Sequence, residues 1–244
     1  MILLRLPRVV LHLIEGLLTC ALVFPLMGQG ARRRCIQTWS ISLVAIFGVQ
    51  IKCIYQGQQA PAARALVVAN HVSWLDIFII NTVHPSRFVA KSDIRDWPLI
   101  GWLCHKSGTI FISRGSVRDV RRIFQNLVDS LREGQQIAFF PEGTTAAQGS
   151  LLPFHANLFE AAIDAQVVVQ PFALRYVDAQ GDLHLAADFI GETTFLSSML
   201  TILRAGPMTA EIILLPCIAS QGAHRRSLAL AAHSAISEAL RPAA

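Results

Sequence analysis

Charge is scarce in this chain. Of its 244 residues only 15% are Asp, Glu, Lys or Arg, while 53% are hydrophobic and mean hydropathy reaches +0.47. Soluble domains carry about 25% charged residues, so much of this surface must be apolar, and a membrane is the simplest partner for it. The few charges are unbalanced, 21 basic against 16 acidic, giving a net charge of +5 and a pI near 9.3. That balance suits an anionic surface. Nucleic acid is not expected: apart from Arg32-Arg33-Arg34 the basic residues are scattered, and no aromatics interleave with them as a base-stacking platform requires.

Cysteine chemistry is also missing. Cys20, Cys35, Cys53, Cys104 and Cys217 are odd in number, widely spaced and without a CxxC pair, which argues against a disulfide framework and a zinc site and favours a reducing compartment. No serine or cysteine stands in a nucleophile elbow, and neither an internal repeat nor a low-complexity tract interrupts the chain. A chain of this length can bury a large core without such staples.

Long apolar runs are present at the start. Residues 9–28 are almost all apolar, broken by His12 and Glu15, and Arg32-Arg33-Arg34 separates them from a shorter apolar stretch at 39–51. About 20 apolar residues span a bilayer. Glu15 is costly inside one, and the second stretch is short, so residues 1–55 read as a half-inserted, membrane-anchoring helical hairpin turning at the basic run. A single span is the next reading. A cleaved signal peptide fits less well, because Leu26-Met27-Gly28-Gln29-Gly30 is a poor cleavage site.

Residues 56–244 then alternate apolar runs with amphipathic stretches. Strands are expected at 66–69, 88–90, 109–112, 137–140, 167–176, 183–189 and 211–215. Between them, residues 117–133 carry Val120, Ile123, Phe124, Leu127, Val128 and Leu131 at helical spacing and stop at Gly134, as a crossover helix between parallel strands would. A last helix is expected at 224–240. The fold class is α/β, with a mostly parallel open sheet flanked by helices.

The richest segment is Asn70-His71-Val72-Ser73-Trp74-Leu75-Asp76, directly after the apolar run Ala65-Leu66-Val67-Val68-Ala69. A strand that stops at Asn-His opens a crevice at its carboxyl edge, the usual ligand site of such sheets. On one continuous helix His71 and Asp76 would point about 140 degrees apart. They meet only if His71 lies in the strand-to-helix turn and Asp76 in the first helical turn. The carboxylate then fixes one imidazole nitrogen and leaves the other to act as a general base. The plainer reading makes Asp76 a helix cap and His71 a buried core histidine.

Four blocks in order resemble the glycerolipid acyltransferases, the lysophosphatidic acid acyltransferase family. They are the segment from Asn70 to Asp76, then Gly108-Thr109-Ile110-Phe111-Ile112-Ser113-Arg114, Phe140-Pro141-Glu142-Gly143-Thr144-Thr145 and Val168-Val169-Gln170-Pro171-Phe172-Ala173-Leu174, within residues 65–175. The resemblance implies transfer of an acyl chain from an acyl carrier protein or coenzyme A thioester to a lysophospholipid, with His71 and Asp76 catalytic. The acceptor it favours is 1-acylglycerol 3-phosphate and the product phosphatidic acid; the other acceptor is a lyso-ornithine lipid. A non-catalytic lipid-binding protein is the reading from outside enzymology.

A guanidinium at a strand end can hold a phosphate bidentately, which is the role expected of Arg114, with the Gly143-Thr144 backbone beside it. Glu142 has the wrong sign for phosphate and is expected to anchor Arg114 or a glycerol hydroxyl. Lys91 would add charge nearby. Pro171 would shape the acyl or acceptor pocket. At His155 many members carry lysine, so this chain departs from the pattern. No cofactor and no metal are called for, and the site would face the cytoplasm at the inner membrane.

Overall fold

A computed structural model describes residues 2–57, 60–97, 99–112 and 117–241. The chain opens with helix α1 (Ile2–Leu18), one π turn at Thr19–Val23, a 3-10 turn at Phe24–Leu26 and helix α2 (Gln29–Phe47). Strand β1 (Val49–Tyr55) follows, then β2 (Ala65–Ala69), α3 (Asp76–Val83), β3 (Arg87–Lys91), α4 (Ile100–Lys106) and β4 (Ile110–Ile112). The second half runs α5 (Val117–Arg132), β5 (Ile137–Phe139), α6 (Glu160–Ala165), β6 (Val168–Val177), α7 (Phe195–Arg204), β7 (Met208–Leu214) and α8 (Arg225–Leu240).

The sheet has seven strands in the order β1-β7-β6-β2-β5-β3-β4. Strands β2 to β6 are mutually parallel, β7 runs against β6, and β1 runs with β7. The expected α/β architecture is therefore the observed one. All five residues of β2 are buried, which a central strand covered on both faces demands of its sequence.

Side-chain alternation sorts the core into two layers. Val67 and Ala69 of β2 face Leu43, Val44 and Phe47 of α2, Ile79 and Ile80 of α3, and Ile202 and Leu203 of α7. Leu66 and Val68 face Leu127 and Leu131 of α5, Ala161 and Ala162 of α6, and Leu228 and Ala232 of α8. Burying one large aliphatic or aromatic side chain is worth about 1.5–3 kcal/mol, so α2 is a structural helix of the α/β unit. His12 locks α1 onto it: its ring stacks 4.5 Å from Trp39, its Nε2 donates to Trp39 O at 2.9 Å, and Trp39 Nε1 donates to His12 O at 3.1 Å.

Three details differ from the sequence reading. The basic run does not form the hairpin's turn: Arg32, Arg33 and Arg34 lie in the first turns of α2, and the chain reverses at Met27-Gly28. Residues 49–55, read as the end of the anchor, form the edge strand β1, whose apolar Val49, Ile51 and Cys53 alternate with Gln50 and Lys52. Residues 183–189 make no strand: they contribute one bridge, Val177 to Leu183, and a 3-10 turn at Leu185–Ala187. Phe189 N then donates to Val72 O, so this segment crosses the carboxyl edge instead of extending the sheet.

Candidate active site

Asn70 ends β2 with its side chain imitating a further rung of the ladder. Its Nδ2 donates to Leu174 O at 2.9 Å and its Oδ1 accepts Leu174 N at 2.7 Å. This steers the next residue off the sheet. His71 is then fixed by its own backbone, its N donating to Glu142 Oε1 at 2.7 Å and its O accepting Ala146 N at 2.8 Å. The ring lies flat on Phe140, centroids 3.8 Å apart and planes 6° from parallel.

Asp76 begins α3 and turns back to the loop. Its Oδ2 accepts His71 Nδ1 at 2.8 Å, Val72 N at 2.7 Å and Ser73 N at 2.9 Å, and its Oδ1 accepts the Tyr176 hydroxyl at 2.6 Å. Four donors converge on a carboxylate with no exposed surface. Such a group acts only as an acceptor, so the hydrogen-bond pattern places the proton of neutral His71 on Nδ1 and the lone pair on Nε2. Nε2 has no protein partner among the described residues, and the side chain is 17% exposed. The two residues thus meet by the turn geometry the spacing required.

Burial and the Asp76 charge push the Tyr176 hydroxyl well above its usual range, so it remains a donor. No sequence signal distinguished Tyr176 from core. It shares a face of β6 with Phe172 and Leu174, and only the β2–β6 register brings it over Asp76. Gln148 was missed for the same reason: its Oε1 accepts Tyr176 N at 2.6 Å and its Nε2 donates to His184 O at 3.0 Å.

The proposed phosphate ligands divide. Arg114 lies outside the described residues. Lys91 is exposed at the end of β3, where it pairs with Ile112 at the end of β4, two residues before Arg114. Thr144 is exposed and has no hydrogen-bond partner among the described residues. Gly143 adopts φ +71°, and its N donates to Phe140 O at 3.1 Å to close a turn, so its amide is already engaged. A Cβ there would stand 3.3 Å from the His155 ring, which places exposed His155 beside the loop.

Glu142 turns into the protein. It is 4% exposed, and its Oε1 and Oε2 accept His71 N and Leu152 N at 2.7 and 2.8 Å. Burial raises its carboxyl above the usual range despite those two amides. It braces the His71 loop with both oxygens, while its expected partner Arg114 lies outside the described residues. Pro171 is buried inside β6, paired with Val68 of β2, and its O accepts Leu215 N at 3.0 Å.

A buried carboxylate orienting a histidine at the carboxyl edge of a parallel sheet is an arrangement that general base catalysis can use. The chain belongs to the Acyltransferase family, whose model matches residues 51–175. Among its relatives, a lyso-ornithine lipid O-acyltransferase of Pseudomonas aeruginosa is 40% identical over 86% of this chain and 79% of its own length. A 1-acyl-sn-glycerol-3-phosphate acyltransferase of Neisseria gonorrhoeae is 49% identical over 48% of this chain and 46% of its own length. The crystal structure of PlsC from Thermotoga maritima, a 1-acyl-sn-glycerophosphate acyltransferase, superposes with TM-score 0.64 at 17% identity, covering 97% of this chain and 96% of that one, and shares its fold.

Proposed function

We propose that this acyltransferase moves an acyl chain from a thioester to the free sn-2 hydroxyl of 1-acylglycerol 3-phosphate, giving phosphatidic acid. The observation that carries the mechanism is the unpartnered Nε2 of a His71 held at Nδ1, N and O. Nε2 removes the hydroxyl proton as the oxygen attacks the thioester carbonyl. The tetrahedral adduct collapses, the carbon–sulfur bond breaks, and the departing thiolate takes the proton back from Nε2. Asp76 holds the tautomer and faces the transient imidazolium. Lys91 and Thr144, with Arg114 as the cation expected from the sequence, suit an anionic headgroup. The donor is an acyl carrier protein or coenzyme A thioester.

The exposed apolar face of α1, with Leu3, Leu4, Leu11 and Leu18, supports a lipid-facing placement at the inner membrane with the site on the cytoplasmic side. Residues 3–26 are long and apolar enough to cross a bilayer, but α1 also packs on α2 and α7, which favours a helix lying along the surface. A lyso-ornithine lipid acceptor is the second reading. It is favoured by the length of the match to the Pseudomonas enzyme, and its carboxylate would satisfy the same cations.

The test is transfer by the purified chain from a labelled thioester to lysophosphatidate, lyso-ornithine lipid and glycerol 3-phosphate. His71→Ala should lower turnover by about 10²–10⁴-fold, the range of general base catalysis. Preference for lyso-ornithine lipid would replace the acceptor and keep the mechanism; undiminished turnover in the variant would remove His71 as the base.

A further inference from the structure

At the edge of the sheet opposite His71 lies a cleft of about 290 Å³. It sits at the amino ends of the parallel strands, beside Arg87 at the start of β3, Gly108 before β4 and Gln136 before β5. Its other wall is the hairpin, where Phe24 and Gln29 flank the reversal between α1 and α2. Arg32, Arg33, Lys106 and His105 line it, and among the described residues no Asp or Glu does.

Arg32 is arranged in advance of any ligand. Its Nε donates to Phe24 O at 2.9 Å and its guanidinium lies over the Phe24 ring at 5.8 Å, which leaves both terminal nitrogens for an anion. Arg33 and Lys106 are exposed and have no acidic partner among the described residues. Helix α2 opens on Gln29 without a side-chain cap, so the positive end of a 19-residue helix adds to the field. Arg87, by contrast, is committed to the fold. It holds Gly108 O, Ser130 Oγ and Gln135 Oε1, and Glu133 behind it offsets its charge.

The position of the cleft relates it to the lipid surface. Arg5 near the start of α1 donates to Phe47 O and Leu203 O, and Phe47 packs against Trp74 in the loop after His71. The other end of this apolar segment, with Leu22 and Leu26 66% and 87% exposed, adjoins the cleft. The segment therefore runs from the catalytic edge to the opposite edge. Lying in a membrane interface, it would bring both to the headgroups.

We propose that this cleft binds a phosphate group, supplied by the headgroup of an anionic lipid, and so holds the hairpin end of the molecule on an anionic membrane. The lipid source rests on the membrane placement proposed above; the phosphate chemistry rests on the cleft.

The full chain in detergent is compared with Arg32→Gln/Arg33→Gln/Lys106→Gln and with the charge-matched Arg8→Gln/Arg34→Gln/Arg204→Gln, whose exposed arginines do not line the cleft. Binding is read on phosphatidylcholine vesicles with and without phosphatidylglycerol. The cleft variant should lose about a hundredfold of the preference for anionic vesicles, at roughly fivefold per cation, and the matched variant only a small part of it. A second arm reads melting temperature with inorganic phosphate or glycerol 3-phosphate. Stabilisation of the wild type but not of the cleft variant, without a vesicle preference, assigns the site to a soluble phosphate.

Equal losses in both variants, with no stabilisation by phosphate, would overturn the site in favour of diffuse attraction. A defect of the cleft variant confined to turnover with an acyl carrier protein donor would also overturn it, as a protein-docking face. If no protein binds vesicles, the membrane placement fails and the phosphate arm decides the cleft on its own. Turnover in detergent should be unchanged in both variants, so loss of the acyl-transfer reading would be visible separately.

Discussion

His71 is held so tightly that the substitutions of interest are those that reach it through Asp76. The Tyr176 hydroxyl donates to the oxygen of Asp76 that His71 does not use. Tyr176→Phe keeps the shape and leaves that buried oxygen without a donor, a loss of about 1.5–3 kcal/mol for a hydrogen bond to a charged group. Denaturant unfolding should show that loss, and turnover should fall with little change in acceptor KM, because the hydroxyl acts through Asp76 and touches no substrate. Of these residues His71 and Asp76 were singled out by their spacing beside a strand end together with the four-block resemblance, since the spacing alone fits a helix cap and a core histidine equally well. Tyr176 and Gln148 were not, since a tyrosine in an alternating strand looks like any core aromatic until the register sets it over a partner. The two amides that Glu142 faces were not legible either, because sequence shows its charge but not what folds against it.

Among the elements, the three strands β1, β7 and β6 are joined by one carboxylate. Glu211 of β7 reaches Lys52 of β1 at 2.8 Å and Arg175 of β6 at 2.6 Å. Burial pushes its carboxyl up, but the hydrogen bonds and charges of Lys52 and Arg175 outweigh that and hold it below its usual range. A lowered carboxylate contributes stability above its unfolded value, about 4.3, and loses it as pH falls through the folded value. Lys52 is 61% exposed and adds little, so the less exposed Arg175 pair dominates. Glu211→Gln should cost about 1–3 kcal/mol at pH 7, and the gap from wild type should close as unfolding is measured at progressively more acid pH.

The hairpin makes the matching case for apolar contact. A Cβ on Gly16 would approach Trp39 Nε1 to 2.8 Å. Gly16→Val should push α1 off α2 and break the His12–Trp39 clamp, lowering the melting temperature and exposing the hairpin to limited proteolysis.

For the molecule as a whole, the chain's excess of apolar residues is divided between two buried layers and one exposed helix face. Leu11 and Leu18 of α1 are 66% and 54% exposed, so neither contributes much to folding. Leu11→Glu/Leu18→Glu should leave unfolding within about 0.5 kcal/mol of wild type while weakening binding to neutral vesicles by about tenfold or more. Vesicle binding that survives intact would mean that another surface meets the lipid.

Local pattern was enough for the α/β class, for the crossover helix α5 and for six of the seven expected strands, because strand and helix periods are properties of neighbouring residues. For the His71–Asp76 pair, which five residues and one turn bring together, local pattern allowed the contact and the resemblance selected it. Long-range pairing was beyond it. β1 looked like the tail of an apolar segment until β7 gave it a partner, and residues 183–189 looked like a strand although they form only one isolated bridge and no ladder. Strand membership, the burial of Glu142 and the arrival of Tyr176 at Asp76 all depend on segments up to 159 residues apart. A chain's local preferences carry no record of which distant surface will face them.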